Sequence, residues 1–178
     1  TFTDLYYTTA EQIDILFSSS NLTSVISNTI TVGPAAADSL IFNVQPTNTE
    51  KNTAISPPIE VQVVDQFGNS VGLSGSSIVL TETSGENFTD DSPQTTNSAG
   101  VAVFSGVSFS KTGTKRIRAI EENSLLDPSA PSNPFFISLS GELAKFSVTL
   151  ASGDSIPGQT AGQSFYLKIA ALDGAGDT

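Results

Sequence analysis

"VQVVDQFGNS", residues 61–70, alternates apolar and polar side chains and then breaks into a turn. Val61 and Val63 fall on one side of an extended chain and Gln62 on the other, the two-residue period of a half-buried strand. Asp, Gly and Asn follow at turn spacing. There a short carboxylate bonds local amides, and Gly adopts positive φ without a steric penalty. Asp65 is therefore expected to bond nearby backbone amides, with Gly68 and Asn69 both at positive φ. Near the other end, "LKIAALDGAGDT" (167–178) repeats the pattern. Asp173 stands for Asp65, Gly176 for Gly68, and Asp177 and Thr178 for Asn69 and Ser70.

Outward from that stretch the same grammar continues. "SLIFNVQP" (39–46) places Leu40, Phe42 and Val44 on one face, and "SSIVLTET" (76–83) does so with Ile78 and Leu80. "IEVQVVDQF" (59–67), "VAVFSGVSF" (101–109), "TKRIRAIE" (114–121) and "NPFFISL" (133–139) complete a set of short runs parted by Gly, Asn, Asp, Ser and Pro. Pro57-Pro58 marks the start of a strand, since proline cannot donate to a ladder. Helical periodicity is nearly absent. Short strands rich in Val, Ile, Thr and Phe predict an all-β antiparallel sandwich.

The repetition sets the organisation. "ADSLIFNV" (37–44) lines up with "LAKFSVTL" (143–150), so that Leu40 falls on Phe146. "TFTDLYY" (1–7) lines up with "VFSGVSF" (103–109), and "SNL" (20–22) with "NSL" (123–125). The spacing is roughly 100 residues, the usual size of an immunoglobulin-like sandwich. The expected fold is thus tandem immunoglobulin-like antiparallel β-sandwiches, one complete and two partial. Residues 35–140 form the complete unit. Residues 1–34 supply the C-terminal strands of a preceding unit, and 141–178 the N-terminal strands of a following one. Partial units forgo apolar burial worth ~25 cal/mol per Å² and leave bare sheet edges. Two arrangements would cover them: a long covalent array, or copies completing one another head to tail.

Composition narrows the chemistry. The 178 residues contain no Cys, Met, Trp or His. Nucleophile systems built on histidine or on a thiolate are excluded, as are thiolate metal sites. The net charge of −11 repels phosphate backbones and anionic lipid, so nucleic acid is not an expected partner. No apolar run approaches the ~20 residues of a membrane-spanning helix. Glycoside hydrolysis needs two carboxyls ~5–10 Å apart in a cleft, whereas the acids here sit mostly in turns. No catalytic residue and no cofactor are assigned.

Several residues remain as site candidates. "SGENFTDD" (84–91) gathers Glu86, Asp90 and Asp91 in one loop, where clustered carboxylates invite a cation such as Ca²⁺. The spacing is not that of an EF-hand, and a solvated acidic loop is the plainer reading. The Asp65 turn, and its repeat at Asp173 and Asp177, offers too few oxygens for Ca²⁺ and reads as an ordinary turn. Asn21 and Asn87 begin Asn-x-Thr acceptor patterns. Ser39 and Ser155 lie in Asp-Ser-apolar triplets similar to an O-glycosylation sequence of some bacteria. Lys111, Lys115, Arg116 and Arg118 form a basic cluster around one strand, with Arg116 and Arg118 opposite Ile117. It reads as a solvent face paired with acids, or as a contact for an acidic neighbour or glycan.

"AADSLIFNVQPTNTEKNTAISPPIEVQVVDQFGNSV" (36–71) and "TTNSAGVAVFSGVSFSKTG" (95–113) together resemble the bacterial immunoglobulin-like repeats of invasin- and intimin-type surface adhesins. In those repeats an Ala-rich link leads to an apolar strand ending in Gln-Pro, then an alternating strand and Asp-x-x-Gly-Asn. The third stretch departs, with "TLASG" (149–153) where Gln-Pro would stand. The resemblance implies a non-catalytic structural or adhesive segment of a secreted bacterial cell-surface protein: a stalk, fibre or filament of repeated units. Its partners would be adjoining repeats or neighbouring copies of the same protein. The alternatives are a carbohydrate- or protein-binding module of an extracellular adhesin and an accessory domain of a secreted glycoside-active enzyme.

Overall fold

A computed structural model describes residues 3–139 and 143–173, with the side chains of 143–145 and 173 left out. Among the described residues every regular element is a strand. The first stretch holds β1 (Gln12–Ile13), β2 (Leu16–Ser19), β3 (Leu22–Ile26) and β4 (Ile30–Thr31). Next come β5 (Ala37–Val44), β6 (Thr49–Glu50), β7 (Ile59–Asp65), β8 (Ser77–Glu82) and β9 (Gln94–Thr95). β10 (Val101–Phe104), β11 (Gly113–Lys115), β12 (Ile117–Glu121) and β13 (Phe135–Ser138) follow. The last pair is β14 (Leu143–Leu150) and β15 (Leu167–Asp173).

The middle of the chain is a two-layer sandwich. One layer is the antiparallel sheet β10-β7-β5. The other comprises β9-β8-β12 and β11-β13-β6, linked where the chain passes through Arg116 from β11 into β12. β6 pairs with β13 in parallel, and the remaining pairs are antiparallel. In the lettering of immunoglobulin-like sandwiches, β5, β7 and β10 take the places of A, B and E, and β8, β12 and β13 those of C, F and G. The fold is an immunoglobulin-like all-β sandwich.

Alternation decides what fills the space between the layers. Leu40, Val61, Val63, Ile78, Ile117 and Ile137 turn inward and are buried. Phe109 stacks on Phe88 at 5.0 Å between ring centroids and meets Phe135 edge-on at 5.5 Å. Gln62, on the other face of β7, is buried as well: its Nε2 donates to the carbonyls of Val63 (2.8 Å) and Ala99 (3.0 Å). This bracing holds Gly100 at φ 78°, where an added Cβ would stand 2.0 Å from the Val71 carbonyl oxygen. No other residue fits there.

Several expectations need adjusting. The run 101–109 stops as a strand at Phe104 and resumes as a single bridge between Ser108 and Thr89. The run 114–121 is divided at Arg116, because its two halves pair with different partners, β13 and β8. The two-residue strands β6 and β9 carry no alternation of their own, and their pairing is dictated by distant partners. β7 does begin at Ile59, directly after Pro57-Pro58.

The end stretches repeat much of the register of the middle. β14 and β15 pair Leu143 with Asp173, Phe146 with Ala171 and Val148 with Ile169. β5 and β7 pair Ala37 with Asp65, Leu40 with Val63 and Phe42 with Val61. The register shift after Ala37 recurs after Leu143. At the other end, β1–β4 sets Ile13 opposite Ile30 and Gln12 opposite Thr31, as β11–β13 sets Lys115 opposite Phe135 and Thr114 opposite Phe136. Ser27 Oγ accepts from the Ile15 amide and donates to the Asn28 carbonyl. Ser132 Oγ accepts from the Ile117 amide and donates to the Asn133 carbonyl. Burial does not repeat. Leu40 is 2% exposed and its counterpart Phe146 72%; Val61 is 0% exposed and its counterpart Ile169 67%.

Candidate functional site

The residues with the densest polar geometry sit where the first stretch meets the sandwich. β7 ends at Asp65, only 1% exposed. Its Oδ1 accepts from the amides of Phe67 and Asn69, both at 2.9 Å, which closes the turn. Its Oδ2 accepts from the amide of Ala35 at 2.8 Å, in the segment joining β4 to β5. The Asn69 side-chain amide donates to Asp65 Oδ2 at 2.9 Å and to the Thr8 carbonyl at 2.7 Å. Its Oδ1 accepts from the Ala10 amide at 2.8 Å. Beside these bonds the Tyr6 ring meets Phe67 edge-on at 6.2 Å. One turn thus holds two other stretches of chain, residues 6–10 and the link at Ala35.

Burial by itself would raise the Asp65 pKa. The Asn69 side chain and the amides of Ala35, Asn69 and Phe67 outweigh it and hold the carboxyl at about 2, below its ordinary 3.8. Its bonding to nearby amides is as expected from the sequence, and Gly68 has positive φ, 84°. Asn69 does not adopt positive φ. Its side chain is committed to the neighbouring stretch, and the backbone stays in an ordinary conformation. That reach to Thr8 and Ala10 was not foreseen. The signal was an amide where a turn needs only a small residue, since a carboxamide both donates and accepts.

The acidic loop disperses its carboxylates. Glu86 Oε2 pairs with Lys115 Nζ at 2.6 Å. Asp90 Oδ2 accepts from Ser92 Oγ at 2.5 Å, and Asp91 Oδ2 from the Ser105 amide at 3.0 Å. Among the described residues no three acids are placed to hold one metal ion. Glu82, at the base of this loop, is raised by burial. The Ser84 hydroxyl, the amides of Glu86 and Ser84 and the charge of Lys115 outweigh that effect, and the net shift is downward.

The basic cluster also divides. Arg116 and Arg118 are exposed on one face, as expected, and Arg116 donates to the Ser132 carbonyl at 3.1 Å. Lys115 is 7% exposed and turned inward. It shares the parity of Ile117 and Ala119, which was the available signal for its burial. Asn21 is exposed in the turn between β2 and β3, and Asn87 and Ser155 are exposed in loops. Ser39 is half-buried within β5. Asp173 ends β15 as Asp65 ends β7. Asp177 lies outside the described residues.

No family model matches the chain, and no curated protein matches its sequence. Among solved structures, the "D0-D1 domain of Intimin" is similar at 14% identity and a TM-score of 0.39. The likeness covers 71% of this chain and 63% of that one, so the chain spans under two thirds of that structure's length.

Proposed function

We propose that this chain is a non-catalytic structural segment of a bacterial cell-surface protein, a stalk or fibre of repeated immunoglobulin-like units. Residues 35–140 make one whole unit. Residues 1–34 and 141–178 belong to the units before and after it. The observation that carries this reading is the Asp65–Asn69 turn, which clasps the connecting segment at Ala35 and the preceding strands at Thr8 and Ala10. A spacer must transmit direction from one unit to the next. A short link with Pro34, tied down by a buried carboxylate, limits bending. Strand ladders resist extension because their hydrogen bonds shear together. The Asp-x-x-Gly spacing at Asp173 places the next clasp one unit along.

Residual dipolar couplings on the labelled chain test this. Amides of 3–34 and 35–139 are expected to share one alignment tensor. Asn69→Ala should split it in two while the shifts of the sandwich interior stay in place. Independent tensors in the native chain would overturn the proposal.

A further inference from the structure

The outer face of β8 and β12 carries cations with no acids to answer them. Thr81, Thr83, Arg116 and Arg118 are exposed there, while Leu80, Ile117 and Ala119 turn into the core. The chain has 7 Lys and Arg against 18 Asp and Glu, so an arginine within reach of a carboxylate would be the ordinary outcome. Among the described residues neither Arg116 nor Arg118 makes an ion pair. Arg116 spends one donor on the Ser132 carbonyl at 3.1 Å. Two residues apart on one strand, the two guanidinium groups start ~7 Å from each other. Like charges so placed repel, and an anion between them relieves the repulsion.

We propose that this face binds an acidic polysaccharide whose carboxylates are spaced out along the chain, as in glycans containing uronic acids. The inference does not draw on the repeated-unit reading, because every residue in it lies between Thr81 and Phe136.

The register sets Arg118 opposite Thr81, whose Oγ1 donates to the Arg118 carbonyl at 3.4 Å. A cavity of about 310 Å³ opens beside them, with Thr81, Thr83, Arg118, Ile120 and Pro131 in its wall. Glu82 borders it too, but its Oε2 is taken up by the Ser84 amide and hydroxyl, both at 2.6 Å. Farther along the same face Thr114 stands opposite Phe136. The Phe136 ring is 49% exposed and meets no other ring among the described residues. Thr114 to Arg118 is about 13 Å of extended chain. The face therefore offers planar forks that match carboxylates, hydroxyls that donate and accept, and one apolar ring on which a sugar can lie.

The ladder argues against an acidic peptide as the occupant. β8 is paired on both sides, by β9 and by β12. β12 has β8 on one side and residues 129–132 on the other, where the Ser129 amide donates to the Ala119 carbonyl at 3.0 Å and the Ser132 amide to the Ile117 carbonyl at 2.8 Å. An extended peptide adds to a bare strand edge, and neither strand presents one here. Recognition on this face runs through side chains alone. Charge density decides the kind of glycan. A net charge of −11 repels densely sulfated or phosphorylated polymers, whereas two neighbouring arginines suit carboxylates that come one at a time.

Titrating the labelled 178-residue chain with hyaluronan oligosaccharides, which carry one carboxylate for every two sugars, tests this by NMR. The amides of Thr81, Thr114, Arg118, Ile120 and Phe136 should shift together, and added salt should weaken binding. Arg118→Gln should weaken it about tenfold, with the shifts of the sandwich interior unchanged. Arg118→Lys should recover only part of that loss, since an ammonium lacks the fork. Phe136→Ala should weaken binding about threefold and leave its salt dependence as it was. Lys168→Gln, a cation removed from the terminal hairpin, should change nothing. No shift at millimolar hyaluronan, or binding indifferent to Arg118→Gln, would overturn the proposal. Tighter binding of heparin would overturn it by showing a general attraction to dense anions. Equal binding of polyglutamate would overturn it by assigning the face to an acidic protein. None of these outcomes bears on the alignment tensor shared by 3–34 and 35–139, so this proposal and the joint fail separately.

Discussion

Leu40 and Phe146 hold the same place in the same pair of strands, yet one is buried and the other is open to water. The strands around both share one register from the same shift near the start as far as Phe42 and Val148; a second shift, between Phe42 and Val44, occurs in β5 alone. The difference is the presence of an opposing layer. Hydrogen-bond register is written into the alternation and the turn that ends it, and among the described residues it is kept where no second layer faces the pair. Burial depends on residues far away in sequence.

The comparison breaks most sharply under truncation of one aromatic residue on each side. Phe109→Ala removes a ring stacked on Phe88 and set edge-on to Phe135 within a closed core, and should destabilise the sandwich by about 3–5 kcal/mol. Phe146→Ala removes a side chain that touches water, and in dilute solution should change stability by less than about 0.5 kcal/mol. Urea denaturation of both variants measures this. Equal losses would mean that β14–β15 shares the central core, and the contrast between the regions would disappear.

The same contrast explains what the sequence made legible. The inward faces of β7, β8 and β12 follow from alternation alone, and the Asp65 turn from its Asp-x-x-Gly-Asn spacing. β6 and β9 were hidden because two residues cannot show a period, and their strand character comes from β13 and β8. Lys115 was grouped with the arginines by charge although its parity placed it with Ile117. Its inward turn is tolerated because Glu86 comes down from the loop to meet it. The joint was half legible: Asp65's bonds to its own turn are local, while Ala35, Thr8 and Ala10 arrive from elsewhere.

Lys115 sharpens the comparison from another side, because Ile13 takes its place in the first stretch. In the sandwich the 84–91 loop lies over the strand, and the buried cation has a carboxylate to answer it. Lys115→Ala leaves Glu86 largely buried with one oxygen already unpartnered, and should cost on the order of 2–3 kcal/mol. Lys115→Met should restore a good part of that in combination with Glu86→Gln. A double-mutant cycle read by thermal unfolding checks both, and additive effects would show that the pair is not coupled.

The smallest effect concerns the joint and follows from acid. Asp65 has a folded pKa of about 2, below its ordinary value of 3.8. A carboxyl lowered on folding contributes stability that is fully present above the ordinary value and is lost as pH falls toward and through the folded one. The clasp should therefore hold at neutral pH and weaken between about pH 4 and pH 2, because a protonated carboxyl accepts less strongly from Ala35 and Asn69. Asp65→Asn keeps the shape of the side chain and removes the titration. Its unfolding midpoint should lie below that of the native chain at pH 7, with the gap narrowing toward pH 2. The amide of Ala35 reports the same event directly: its hydrogen exchange should quicken on acidification relative to amides of β7, after correction for intrinsic rates. If Ala35 instead stays as protected at pH 2 as at pH 7, the carboxylate is not what ties the connecting segment to the sandwich. The stiffness of the joint would then have to come from Tyr6 against Phe67 and from the two bonds of Asn69 to the first stretch.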